Sequence, residues 1–168
     1  MERARGVRLQ AAAYPHSVRI PPRFDDLDWL GHINNVSLTR IIEDGRFRWL
    51  VELGLTILGP NGPAPAVEGG RFVTAATQHE YLAEAFYPEP VDVRLATLQV
   101  GGSSWTIGHL ARQRERNVCV GFSVLVLAGA QGPIRLGERL AALAEAYALK
   151  ASQTVEDFTE QLVKGSGT

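Results

Sequence analysis

The chain has 168 residues, of which 45% are hydrophobic and 21% are charged. This length and composition fit one compact domain that can bury a sizeable core. A formal net charge of -1 and an isoelectric point near 6.4 exclude a strongly basic protein overall but leave room for local basic clusters. Neither nucleic acid nor an anionic membrane is therefore expected as the main partner.

Cys119 is the single cysteine of the chain, which excludes an internal disulfide framework and favours a reducing compartment. The first ten residues, MERARGVRLQ, are partly basic but lack the apolar core that a signal peptide needs. No apolar run approaches the roughly 18 residues of a spanning helix. We therefore expect a cytoplasmic protein without a membrane span.

The first predicted elements are a short strand and a long helix. Alternation over residues 16–24 favours a strand, whose end is limited by two consecutive prolines. Residues 35–53 repeat apolar side chains at three- and four-residue spacing, which is typical of an amphipathic helix. Asn34 is the predicted N-cap and Gly54 the predicted stop.

A loop, four strands and a helical tail are predicted beyond the helix. Residues 56–70 are rich in Gly and Pro and predict a loop. The separators between the later strands are short and turn-like, which favours an antiparallel meander. A disordered GSGT end is expected after the last helix. The predicted strands cover residues 71–82, 91–100, 104–114 and 118–127, and the tail helices cover 137–150 and 155–163.

This order of elements defines an α+β class, in which the helix must lie against one face of the sheet. A five-stranded antiparallel sheet wrapped around a long central helix would bury the apolar face of each. We divide the chain into an N-terminal extension (1–15), a central domain (16–130) and a C-terminal helical tail (131–168).

The segment RFDDLDWLGHINN at residues 23–35 carries a motif between the first strand and the helix. It matches the pattern R-x-x-D-x-D-x-x-G-H-x-N-N, with Glu43 and Arg46 downstream. This pattern resembles hotdog-fold thioesterases of the 4-hydroxybenzoyl-CoA thioesterase type, and plant acyl-carrier-protein thioesterases have a similar D-x-x-x-H-x-N-N element. The later stretch EYLAEAFYPEPVDVRLATLQVGGSSWTIGHLARQ resembles the second half of the same family. Together the two stretches extend the resemblance over residues 16–130.

The resemblance implies a hotdog fold, acyl-CoA thioesterase activity and assembly as a homodimer or homotetramer. It implies that Asp28 is the catalytic carboxylate and that the backbone N–H of Asn35 polarises the thioester carbonyl. Thioester hydrolysis needs a base or nucleophile and donors for the oxyanion. Free N–H groups at the start of a helix are such donors.

Six further residues are candidates for the same site. His32 could orient water or Asp28, or it could lock the turn through a bond to the loop backbone. Trp29 and Trp105 supply apolar bulk for an acyl pocket. Gly31, Ser103 and Ser104 belong to the matched segments and are assigned to substrate binding by the resemblance.

The carboxylates of the motif and of the helix also have structural interpretations. Asp28 itself could be a turn-capping residue. Asp26 is expected to pair with Arg23 or to accept from loop amides, and Asp25 is expected to be solvated. Glu43 is a rival acid, because another branch of hotdog thioesterases carries its acid on the central helix. Arginines three residues away on either side favour an ion pair for Glu43.

No metal or cofactor is predicted. The histidines at positions 16, 32, 79 and 109 show no close ligand spacing, and no glycine pair has the context of a phosphate loop. Cys119 lies in an apolar strand, which favours a buried packing thiol over a nucleophile. Coenzyme A has an anionic end, for which Arg71, Arg112 and Arg114 are candidates.

The sequence therefore predicts an acyl-CoA thioesterase acting on an acyl-CoA or acyl-carrier-protein thioester. A non-catalytic acyl-CoA-binding or regulatory hotdog module would keep the pocket without turnover. A hotdog hydratase or dehydratase is the weaker alternative, because the D-x-N-x-x-H element of those families is not intact here.

Overall fold

A computed structural model describes residues 6–59, 62–65, 67 and 69–150. The predicted helix over 155–163 and the GSGT end lie outside these residues. Within them, an antiparallel sheet curls around one long helix, which is the hotdog arrangement that the resemblance implies.

The central helix α1 spans Asn35–Glu52, one residue shorter than predicted. The predicted N-cap is confirmed, because the Asn34 side chain accepts the N–H of Ser37 at 2.8 Å. Gly54 has φ +69°, a left-handed conformation that ends the helix and suits glycine.

Five long strands form the main sheet, and a two-residue strand extends it. The strands are β1 (His16–Ile20), β4 (Arg71–Tyr81), β5 (Val91–Val100), β6 (Ser104–Gln113), β7 (Arg116–Gly129) and β8 (Gly132–Pro133). The five long strands lie in the spatial order β1-β5-β6-β7-β4. The meander prediction is confirmed for β5, β6 and β7 but is wrong for β4, which pairs with β7 instead of β5. Since only β7 borders it, β4 is an edge strand.

The loop predicted over residues 56–70 contains regular structure, so that prediction is corrected. Strands β2 (Thr56–Gly59) and β3 (Gly62–Pro65) pair as an antiparallel hairpin. This hairpin forms its own two-stranded sheet and adds no strand to the main one. Proline in a strand is compatible with such an isolated edge pair.

The core lies between α1 and the concave face of the sheet. Gly45 faces Val93 so closely that a Cβ atom at position 45 would lie 3.0 Å from Val93. This contact lets the helix settle directly on β5. The fully buried side chains include Ile41, Trp49, Leu95, Trp105 and Ile107.

Both flanking segments cover the sheet. Two short 3₁₀ helices, Gly6–Leu9 and Ala11–Ala13, precede β1, and Ala13 and Tyr14 pack with Leu110 in a second apolar cluster. Helix α2 (Glu138–Ala146) contributes Ala144 to the main core. None of the helices in the described part of the chain is long and apolar enough to cross a membrane.

Candidate active site

The motif loop forms a tight turn that is closed by Asp28. The backbone N–H of Asp28 donates to the His32 carbonyl at 2.8 Å, and its own carbonyl accepts from Gly31 at 3.1 Å. The Asp28 Oδ1 accepts the N–H of Leu30 at 2.9 Å and that of His32 at 3.2 Å. Gly31 adopts φ +82°, so the turn requires a residue that tolerates the left-handed region. One carboxylate oxygen therefore caps the turn.

Asp26 anchors the loop to the helix, as the sequence predicted for a structural residue. Its buried carboxylate accepts the backbone N–H of Arg23 at 2.7 Å, and the Arg23 guanidinium lies 3.5 Å away. Arg40 of α1 adds an ion pair at 2.6 Å. Burial alone would raise the pKa of Asp26, but the Arg23 N–H and Arg40 outweigh it and hold the pKa below its ordinary value. Asp25 is exposed, as expected.

The start of α1 presents free donors beside this turn. Asn34 caps the N–H of Ser37, and no described residue accepts the N–H of Asn35. The carbonyl of Asn35 is held by the Tyr81 hydroxyl at 3.2 Å and the Thr39 hydroxyl at 3.0 Å. The helix N-terminus is thus fixed against β4.

Asp28, His32 and Asn35 lie together in one cleft of about 280 Å³. Tyr81 and Glu84 contribute to its other side. Among the described residues, no hydrogen bond joins the His32 ring to Asp28. Its Nε2 lies 3.6 Å from the Glu84 carboxylate, and its ring meets Phe86 edge to face. The structure therefore brings the three predicted catalytic residues to one cleft, with His32 oriented toward Glu84.

A second cleft, of about 490 Å³, lies farther along the seam between α1 and β4. The helix and the strand run antiparallel along this seam, because Asn35 contacts Tyr81 and Arg46 contacts Thr74 at 3.0 Å. Glu43 lines this larger cleft and accepts from Arg46 at 3.0 Å, which confirms the predicted ion pair. The two clefts thus follow each other along one seam.

Five predicted substrate-binding residues lie outside both clefts, whereas Arg71 lines the larger one; the five are Trp29, Gly31, Ser103, Ser104 and Trp105. Trp29 is 92% exposed on the surface of the motif loop. Trp105 is fully buried, and its indole N–H donates to the Thr97 hydroxyl at 2.9 Å. Ser103 and Ser104 form the β5–β6 turn, where their carbonyls accept from Leu127 and Gly101.

The fold also assembles a group that sequence spacing did not reveal. His79, His109 and Cys119 come from three different strands, yet one nitrogen or sulfur atom from each lies within 4.8 Å of the others. Burial lowers the pKa of both histidines and raises the pKa of the Cys119 thiol to about 12. The thiol is buried and protonated, which agrees with the expected packing role rather than with a free nucleophile.

Comparison with known proteins identifies the family. The chain matches the model of the thioesterase-like superfamily over residues 22–161 and belongs to that family. No curated protein sequence matches it.

Solved structures give the same fold. The PA5185 protein of Pseudomonas aeruginosa superposes with a TM-score of 0.71 at 20% identity, covering 84% of this chain and 97% of its own. A Thermus thermophilus thioesterase, solved with coenzyme A and zinc, has a TM-score of 0.65 at 28% identity over 80% of this chain and 95% of its own. A Xanthomonas campestris protein, provisionally described as an acyl-CoA thioesterase, has a TM-score of 0.57 at 30% identity over 71% and 97%. The chain is therefore a thioesterase-like protein of hotdog fold.

Proposed function

We propose that this protein hydrolyses acyl-CoA thioesters, with Asp28 as nucleophile or general base and the Asn35 N–H as oxyanion donor. One observation carries the proposal: the Asp28 carboxylate and the free N-terminus of α1 line the same cleft. Family membership and the thioesterases among the similar structures support it.

The two carboxylate oxygens of Asp28 differ in their hydrogen bonds. Oδ1 is held by two N–H groups of the turn, whereas Oδ2 accepts no hydrogen bond from any residue that the structure describes. Such a carboxylate is fixed in orientation and keeps one oxygen for chemistry. As a general base, Oδ2 takes a proton from water while the water oxygen bonds to the thioester carbon. As a nucleophile, Oδ2 itself bonds to that carbon, and water then hydrolyses the anhydride.

Both routes place negative charge on the thioester oxygen. The N–H of Asn35 stands at the positive end of an 18-residue helix, where a developing oxyanion is stabilised. Collapse of the tetrahedral intermediate breaks the carbon–sulfur bond and releases the thiolate, which takes a proton to give the free thiol. The products are an acid and a thiol.

The larger cleft supplies room for the rest of the substrate. Phe47, Leu50 and Phe72 give it apolar walls, and Arg71 stands at its margin. We propose that this part of the seam holds an apolar acyl or pantetheine segment and that Arg71 attracts the anionic end of coenzyme A. Coenzyme A is present in the Thermus thermophilus thioesterase, which supports this substrate class. Within the family, we propose that the protein is of the 4-hydroxybenzoyl-CoA thioesterase type.

Edge strand β4 favours a homodimer. It has eleven residues, most of them exposed, and β7 pairs with only one of its sides. A long open edge of this kind pairs readily with a second copy across a two-fold axis. We propose that two chains join there, which would place the partner beside the α1–β4 seam.

Release of free thiol from a panel of acyl-CoAs tests the function. Asp28→Asn keeps the size of the side chain and one Oδ acceptor but removes the base, so the rate at saturating substrate should fall about 10²-fold or more. The melting temperature should change little, because Asn also caps such turns.

A matched variant completes the test. Glu43→Gln removes the rival acid of the same seam, and its turnover should stay within a few fold of the parent. Near-normal turnover in Asp28→Asn together with collapse in Glu43→Gln would move the acid to the helix and contradict the proposal.

The capping bonds of Asp28 favour one second candidate, a non-catalytic acyl-CoA-binding module. In that case Oδ1 serves only to close the turn. The parent protein would then bind acyl-CoA in a titration without releasing thiol, and Asp28→Asn would bind equally well.

A further inference from the structure

A glycine in β7 brings two histidines of other strands together. Gly121 is the cross-strand partner of His79 on β4 and also of His109 on β6. Because it has no side chain, the His109 ring lies directly above it. A Cβ atom at position 121 would overlap the Gln78 carbonyl oxygen and would lie 2.6 Å from the His109 Nε2. Cys119, two residues earlier on β7, points to the same face of the sheet.

The ligand atoms have spacings close to those of a metal site. His79 Nδ1 lies 3.1 Å from His109 Nε2 and 3.9 Å from Cys119 Sγ. Zinc bonds to nitrogen at about 2.0–2.1 Å and to sulfur at about 2.3 Å, which places neighbouring ligands of a tetrahedron about 3.3–3.7 Å apart. All three atoms already lie within 4.8 Å of one another, so small side-chain shifts suffice.

The surrounding hydrogen bonds orient one ligand toward the centre. The Thr77 hydroxyl lies 3.1 Å from the Ser123 hydroxyl, 3.3 Å from the Phe122 carbonyl and 3.3 Å from the His79 Nε2. When its hydrogen is donated to Ser123 or Phe122, its oxygen accepts from the Nε2–H of His79. The Nδ1 lone pair of His79 then faces His109 and Cys119. A hydrogen bond to the second ring nitrogen is the usual support of a metal-bound histidine.

Burial shields both rings from water. His109 is fully buried and His79 is half-buried. A neutral imidazole has a free lone pair for a metal.

We propose that His79, His109 and Cys119, from strands β4, β6 and β7, form a zinc site. Two imidazoles and one thiolate are a donor set that zinc takes, and three protein ligands leave a fourth position for water or another ligand. When zinc binds, the Cys119 thiol releases its proton to solvent, and the proton on the His109 Nε2 moves to the Nδ1 of the same ring, so that His109 stays neutral. The site is separate from Asp28 and does not depend on the thioesterase proposal.

Metal binding is measured on the tag-free full-length protein after chelator treatment and dialysis. We expect one Zn²⁺ per chain by calorimetry and elemental analysis. Co²⁺ should bind in its place and give tetrahedral visible bands together with a thiolate-to-cobalt charge-transfer band. The charge-transfer band should be absent in Cys119→Ser, and the affinity of His79→Gln for Zn²⁺ should fall at least tenfold. Folding of each variant is checked by circular dichroism.

Three matched variants make the test specific. Thr77→Val removes the support of His79 and should weaken zinc binding about 10- to 100-fold, whereas Thr77→Ser keeps the hydroxyl and should bind as the parent does. His16→Gln removes a histidine on β1, at the opposite edge of the sheet, and should leave binding unchanged. Absence of stoichiometric binding in the parent, or a charge-transfer band that persists in Cys119→Ser, would overturn the proposal.

Discussion

Replacing the buried Asp26 by asparagine tests what holds the motif loop in place. The carboxylate joins three groups: the backbone N–H of Arg23, the Arg23 guanidinium and the Arg40 guanidinium on α1. An asparagine side chain at this position would keep one acceptor oxygen, but its amide N–H would face one of these donor groups. That donor group would lose its acceptor, and the bond that remains would no longer be made to a charged carboxylate.

The size of the effect follows from these contacts. A hydrogen bond to a charged group contributes about 1.5–3 kcal/mol. Removing one member of a fully buried ion pair costs more, about 3–5 kcal/mol. The Arg40 side chain is 41% exposed and that of Arg23 is 64% exposed, so water compensates part of the loss. We expect Asp26→Asn to lower the free energy of unfolding by about 2 kcal/mol, or the melting temperature by about 4–8 °C for a chain of this size.

Thermal unfolding of the parent and of Asp26→Asn at several pH values checks this. The folded pKa of Asp26 lies below its ordinary value of 3.8, so its stabilisation is fully present above that pH and is lost as the pH falls through the folded pKa. The difference in melting temperature should therefore shrink below about pH 4. A difference smaller than about 1 °C at pH 7 would refute the anchoring role. Substrate affinity should change less than stability.

Three further predictions concern other parts of the fold. Gln113 makes three hydrogen bonds of 2.6–2.8 Å to the backbone of Phe86 and Glu89, so Gln113→Leu should lower the free energy of unfolding by about 3 kcal/mol in a denaturant titration. Deleting residues 61–65 should leave the melting temperature nearly unchanged but alter acyl-chain preference, because the β2–β3 hairpin lies outside the main sheet. A large loss of stability would show instead that the hairpin is packed. Light scattering at micromolar concentration should give at least a dimer, and a fully active monomer would contradict pairing through β4.

Local chemistry explains why the helix could be predicted closely. Asn34 and Gly54 act within a few residues of the chain, through a side-chain cap and a left-handed backbone. The turn residues of the motif act over the same short range, and the predicted structural role of Asp26 is confirmed. The conformation of the turn is therefore determined by residues of the motif itself and can be predicted from the sequence.

Strand order has no such local cause. The segment between β4 and β5 looks like a hairpin turn in sequence, but it carries the chain across the sheet so that β4 pairs with β7. Gln113 binds this segment by its backbone, a contact between residues 24 and 27 positions apart. Pairings of that range depend on how α1 covers the sheet, which alternation within a strand does not specify.

The cluster of His79, His109 and Cys119 could not be predicted from the sequence for the same reason. His79 and His109 are 30 positions apart, and neither stands near Cys119 at a spacing that indicates a metal ligand set. They meet because β4 and β6 both pair with β7 at Gly121, which has no side chain to collide with the His109 ring. A side chain at position 121 would displace the His109 ring. The signal was therefore present in the sequence as a glycine within an apolar strand, where a missing side chain marks the close approach of other groups, but its partners follow only from the sheet order.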